Sequence, residues 1–161
     1  MKKLSKMTLK EMEVNFSTIP VSIQEMIKGG DVTVTFDKSD NMIYVYGDGT
    51  LVGSYSAGNN TDSGSNGAWS TGTYAMSTQS SPVTHSGDSY SSSFGTYGIY
   101  QAAGFYDANG TYRTYMGLHS GRSDDTSYPT YGCIRTTDAA MAEIAAFISS
   151  CGSFTSITVR T

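Results

Sequence analysis

A chain of 161 residues with 38% hydrophobic side chains is sized for one domain with a true core. Charged residues make up only 15%, against 18 glycines and 12 tyrosines, and the net charge of −4 argues against nucleic acid as a partner, which needs clustered Lys and Arg to displace counterions. No apolar run reaches the roughly 18–20 residues of a membrane-spanning helix, and no continuous apolar stretch of a secretory signal peptide follows the basic N-terminus.

Residues 1–30 differ from the rest. They are rich in Lys, Glu, Met and Ile, read as helix interrupted at Pro20, and carry five lysines against three glutamates, which leaves −6 for the remainder. The segment ends in Gly29-Gly30. With Ile27, Ile23, Ile19 and Phe16 upstream, it resembles a double-glycine export leader. Two glycines let a scissile backbone enter a narrow cleft, and an amphipathic helix can dock on a peptidase. The resemblance implies removal by the peptidase domain of an ABC exporter. The plainer alternative is an N-terminal helix closed by a glycine C-cap. The expected division is a leader over 1–30 and a domain over 31–161.

From Asp31 onward the pattern is β. Residues 32–37 alternate, 42–46 run apolar, and 50–56 follow a Gly-Asp-Gly turn, which predicts a meander. Residues 57–70 read as loop and 70–77 as a strand. The polar stretch 78–93 reads as a long loop able to face substrate. Strands are expected at 95–103 and 111–119, joined by the turn Asp107–Gly110. The tyrosines Tyr44, Tyr46, Tyr112 and Tyr115 are expected half-buried on these strands. One helix is expected over 138–150, with Met141, Ile144, Ala145 and Ile148 on one face, a cap from Thr136 or Thr137, and Gly152 at its end. A last strand is expected over 156–160. No tandem repeat is present.

Chemistry concentrates at Thr130-Tyr131-Gly132-Cys133-Ile134-Arg135. Cys133 sits ahead of the predicted helix, whose positive end would favour a thiolate. Gly132 permits a tight turn and close approach of a substrate backbone, leaving the amides of 132 and 133 as oxyanion donors. Of two histidines, His119 ends a predicted strand 14 residues upstream, and His85 lies in the polar loop. A disulfide from Cys133 to Cys151 would have to span the predicted helix, about 20 Å against a limit of roughly 7 Å. A zinc site using His85 has weak spacing.

His119-Ser120-Gly121 followed by Tyr131-Gly132-Cys133-Ile134-Arg135 resembles the L,D-transpeptidase catalytic domain, or YkuD-like, family. Residues 32–58 are similar to its opening strands and 69–74 to a further segment. The resemblance implies a mainly β fold, a β-sandwich or mixed sheet with one helix after the catalytic cysteine. It implies Cys133 as nucleophile, His119 as base, and Ser120 orienting His119 through its carbonyl. Gly132 and Cys133 would supply oxyanion amides, and Arg135 would hold the site or bind a substrate carboxylate, with Tyr131 also on the substrate side. Arg122 is the alternative binder of the substrate anion. Tyr131 stands where the family usually has histidine. The implied reaction is acyl transfer on peptidoglycan stem peptides through a thioester, ending in cross-linking, D-amino-acid exchange or carboxypeptidase cleavage, by an exported, periplasmic or extracellular monomer without metal or organic cofactor. The alternatives are a secreted antibacterial effector with the same site and a non-catalytic wall-binding module.

Overall fold

The computed structural model describes residues 30–62, 65 and 67–161. The expected leader, with Gly29, lies outside the described residues. The first strand, β1 (Asp31–Asp37), buries Val32, Val34 and Phe36 on one face, as an alternating sequence requires when one side of a strand meets a core. It turns back into β2 (Met42–Gly47), where Ile43 and Val45 continue that face. The turn is tied by the Asp37 carboxylate, which accepts from the Ser39 amide at 2.9 Å and the Ser39 hydroxyl at 2.6 Å. β3 (Thr50–Ser56) follows through Asp48 and Gly49, both at positive φ (51° and 76°), the geometry that suits a tight hairpin.

The meander becomes part of a larger sheet through distant partners. β10 (Ser153–Arg160) lies parallel to β1, and β4 (Gly72–Ala75) pairs antiparallel with β10, giving the order β3-β2-β1-β10-β4. The one α-helix among the described residues, α1 (Asp138–Cys151), packs on this sheet through Ala140, Met141, Ile144 and Ile148. Thr137 caps it by accepting from the Ala140 amide at 3.2 Å, and Gly152 closes it with a bond to Ile148 O. Each fully buried aliphatic side chain contributes about 1.5–3 kcal/mol. The mainly β architecture with one helix after Cys133 is the one expected.

The second sheet is short and carries the chemistry: β5 (Tyr100–Gln101), β8 (Gly117–His119) and β9 (Ile134–Arg135), in the order β5-β8-β9. Here the structure corrects the sequence reading. Only Tyr100–Gln101 of the expected strand 95–103 is a strand. The expected strand 111–119 is broken at Tyr115, whose φ is +59°, into β7 (Tyr112–Arg113) and β8, which belong to different sheets. The turn at Asp107–Gly110 therefore joins β7 to β6 (Phe105–Tyr106), with the Asp107 carboxylate accepting from the amides of Asn109 and Thr111 at 2.9 Å. Tyr112 and Tyr115 are 56% and 79% exposed, not half-buried, because the chain leaves the sheet between them.

Candidate active site

β8 and β9 run parallel, with His119 opposite Arg135. Opposed residues on paired strands share a face, and extended chain returns to that face every second residue. Cys133, two residues before Arg135, therefore joins His119 and Arg135, and all three line one cavity of about 520 Å³. The pairing continues past β8, where the Thr136 amide donates to His119 O at 2.8 Å.

His119 is 2% exposed. Its Nδ1 lies 2.7 Å from the carbonyl of Ser120. A carbonyl only accepts, so Nδ1 carries the hydrogen and Nε2 keeps its lone pair. The same carbonyl accepts from Arg135 Nη1 at 2.9 Å, and Nη1 also donates to Ser93 O at 2.9 Å. Arg135 is thus committed to two backbone oxygens and holds the walls of the site. Burial, aided by the nearby Arg135 charge and opposed by the Ser120 carbonyl, lowers His119 to about 4. The imidazole is neutral at pH 7.

The Cys133 turn is held from several sides. Gly132 sits at φ +125°, a backbone conformation that favours glycine, with Arg113 Nη2 and Met116 Cε 2.9 Å and 3.0 Å from where a Cβ would lie. Thr130 Oγ1 accepts from the Gly132 amide at 3.1 Å and donates to Cys133 O at 2.8 Å. This corrects one expectation: the Gly132 N–H is already bonded inside the turn and is not an open oxyanion donor. Asn59 Nδ2 donates to the carbonyls of Gly132 (2.8 Å) and Cys133 (2.9 Å), and Asn59 Oδ1 accepts from the Trp69 amide at 2.6 Å. Asn59 reaches the turn because Gly58 bridges Arg135 and Thr61 bridges Thr130, which folds the expected loop after β3 against the cysteine segment.

The thiol is free and buried. A second expectation is corrected here. The helix does not lower its pKa: β9 intervenes, α1 begins only at Asp138, and the amides of Asp138 and Ala140 are taken by Asp124 (2.7 Å) and Thr137. Burial instead pushes the Cys133 thiol above its ordinary value, against weaker opposing pulls from the Gly117 amide and the charges of Arg135 and Arg113. Separating charge between a dry thiol and a dry imidazole is costly. The resting site is thiol and neutral imidazole, not an ion pair.

The expected flap does reach the site. Ser93 and Phe94 line the cavity, and the Phe94 ring stands edge-on to His119 at 5.2 Å and stacks on His85 at 4.7 Å. His85 therefore buttresses that ring. Among the described residues no three His, Cys, Asp or Glu side chains gather as metal ligands. Arg122 faces the cavity, donates to Ser93 Oγ at 3.0 Å and lies 4.7 Å over the Tyr128 ring. Tyr131, 75% exposed, and Tyr115 form part of the mouth. Asn59 and Phe94 were not singled out from sequence; an Asn in a Gly/Asn stretch signals only a turn.

A mixed β fold in which a buried cysteine and a histidine held through Nδ1 by the next residue's carbonyl line one cavity has the parts that thiol acyl transfer uses. The chain belongs to the YkuD family, the L,D-transpeptidase catalytic domain, whose model matches residues 31–157. No curated relative matches the chain. Among solved structures, Bd1075 of Bdellovibrio bacteriovorus is similar at 13% identity and TM-score 0.60, over 84% of this chain and 49% of that one. The helical cell shape determining protein of Campylobacter jejuni is similar at 14% and 0.54, over 86% and 52%. An L,D-transpeptidase of Enterococcus faecium is similar at 14% and 0.52, over 81% and 50%. At these identities the likeness speaks for the fold. The chain spans about half the length of these three structures.

Proposed function

We propose that the domain is a cysteine acyltransferase acting on peptidoglycan stem peptides, with Cys133 as nucleophile and His119 as general base. The observation that carries this reading is the His119 Nδ1 bond to Ser120 O, which leaves Nε2 as an acceptor in the cavity that Cys133 also lines. In the first half-reaction Nε2 takes the thiol proton as Sγ adds to the carbonyl of the third stem residue. The Cys133 amide receives the developing oxyanion. Collapse breaks the peptide bond, the imidazolium returns its proton to the departing amine of D-alanine, and a thioester remains. In the second half-reaction an amine of another stem, a free D-amino acid or water attacks that thioester while Nε2 again takes a proton.

Arg122 fits the role of substrate-carboxylate binder better than Arg135, since its guanidinium faces the cavity while Arg135 is held by Ser93 and Ser120. Tyr131 projects at the mouth, where it meets the incoming acceptor. The decisive experiment is incubation with a carbapenem followed by mass mapping, in parallel with digestion of purified muropeptides. An adduct on Cys133 and loss of terminal D-alanine are expected; no adduct together with unchanged muropeptides overturns the reading.

Action on the wall requires export, and residues 1–30 fit a double-glycine leader cut after Gly30 by a peptidase-containing ABC exporter. N-terminal sequencing of material exported by the producing cell tests the leader: a start at Asp31 supports it and a retained Met1 rejects it.

A further inference from the structure

Asp138, the first residue of α1, is bonded to both segments that hold the His119 ring. Its Oδ1 accepts the hydroxyl of Ser120, and its Oδ2 accepts the hydroxyl of Thr96. The Thr96 amide also donates to Oδ1 at 3.3 Å. Ser120 is the residue whose carbonyl fixes His119 Nδ1, and Thr96 lies two residues after Phe94, whose ring stands edge-on to the imidazole. Gly95 lies between them with no room for a side chain, since a Cβ would collide with Ser120 Oγ and come within 2.7 Å of Asp138 Oδ1.

These contacts exceed what the start of a helix needs. Thr137 already supplies the cap, and an acid in the first turn helps the dipole without any specific partner. The tie also matters mechanically. Ser120 is followed by Gly121, Arg122, Ser123 and Asp124 at φ of 97°, 55°, 56° and 62°. A run of left-handed non-glycine residues is strained and relaxes unless its surroundings hold it. Asp124 returns the contact by accepting the Asp138 amide at 2.7 Å.

We propose that Asp138 is a positioning residue for the reaction: through Ser120 its carboxylate fixes the carbonyl that sets the His119 tautomer, and through Thr96 it fixes the aromatic ring that stands edge-on to the imidazole. It touches neither substrate nor reacting atoms. The inference rests on the assignment of Cys133 and His119 as nucleophile and base. Arg135 is the charge that acts on the imidazole, the Cys133 thiol and Arg122 share its cavity, and His85 stacks on Phe94.

With only two histidines in the chain, His85→Gln assigns their ring signals, and nitrogen NMR reads the His119 tautomer directly. The wild type should show a single Nδ1–H form near neutral pH. Asp138→Asn should give mixed tautomers and slow carbapenem acylation of Cys133 by about 10- to 100-fold at saturating drug. Ser120→Ala should slow it comparably and add little in the Asp138→Asn background. If Asp138→Asn does not fold, the double variant Ser120→Ala with Thr96→Val removes both hydroxyl contacts and keeps the acid on α1. A folded variant with one Nδ1–H tautomer and the wild-type acylation rate overturns the proposal. Absence of acylation in the wild type would instead overturn the enzymatic reading, and the tautomer measurement would still decide what Asp138 does.

Discussion

Asn59 and Cys133 stand 74 positions apart and are joined by a 2.9 Å hydrogen bond from the Asn59 side-chain amide to the Cys133 carbonyl. The same amide holds the Gly132 carbonyl at 2.8 Å, so one side chain fixes both peptide groups around the thiol. Asn59→Ala leaves two partly buried carbonyls without that donor. It should cost about 1–3 kcal/mol of stability and about 10- to 100-fold in the acylation rate. Asn59→Asp should be worse, because a carboxylate would face two carbonyl oxygens. Thermal melting and the rate of carbapenem adduct formation check both.

The buried imidazole makes stability depend on pH. His119 protonates at about 4 in the folded protein and near 6.5 when unfolded. Between these values the unfolded chain binds more protons, so stability falls as pH drops from about 6.5 to 4 and this contribution then levels off. The loss is on the order of 3 kcal/mol. The carboxylates of Asp37, Asp107 and Asp125 are held below the ordinary value by hydrogen bonds led by those from Ser39, Thr111 and Ser127, so they act at lower pH. Urea midpoints at pH 7.5, 5.5 and 4.5 should fall steeply for wild type and shallowly for His119→Asn.

The raised thiol predicts sluggish reactivity toward simple alkylating agents. At pH 7–8 Cys133 should react with iodoacetamide more slowly than a free cysteine, with the rate rising only above pH 9. Peptide mapping separates it from Cys151. A fast reaction at neutral pH would show an activated thiolate and reject the neutral thiol–imidazole pair.

Tyr131 is exposed, so its removal should test recognition without disturbing the fold. Tyr131→Ala should shift stability by no more than about 0.5 kcal/mol. The ratio of cross-linked to hydrolysed product from a stem peptide given with an amine acceptor should change, while acylation by carbapenem stays close to wild type. Equal product ratios in the two proteins would remove Tyr131 from acceptor binding.

Much of this site was legible because its parts are local. The bond from His119 to the next carbonyl, the glycine-dependent turn at Cys133 and the Thr137 cap each involve residues within a few positions of one another. What could not be read depends on pairings between distant segments. Asn59 matters only because Gly58 meets Arg135. Asp138 matters only because Thr96 and Ser120 converge on it. The direction of the thiol shift was misjudged because it depends on how completely Cys133 is covered, while the helix that follows it offered an apparent local cause. The break at Tyr115 leaves no mark in the sequence, because the segment has strand composition and the left-handed residue is not glycine.

The order of the main sheet has a consequence for how the domain comes into being. Its central seam joins β1 to β10, with Asp31 beside Ser153 and Asp37 beside Arg160. That seam cannot zip until the last strand is available, and a contact so distant in sequence forms late. Until β10 is made, β1 lacks its inner neighbour and β4 lacks its partner in this sheet. The C-terminal residues act as its latch.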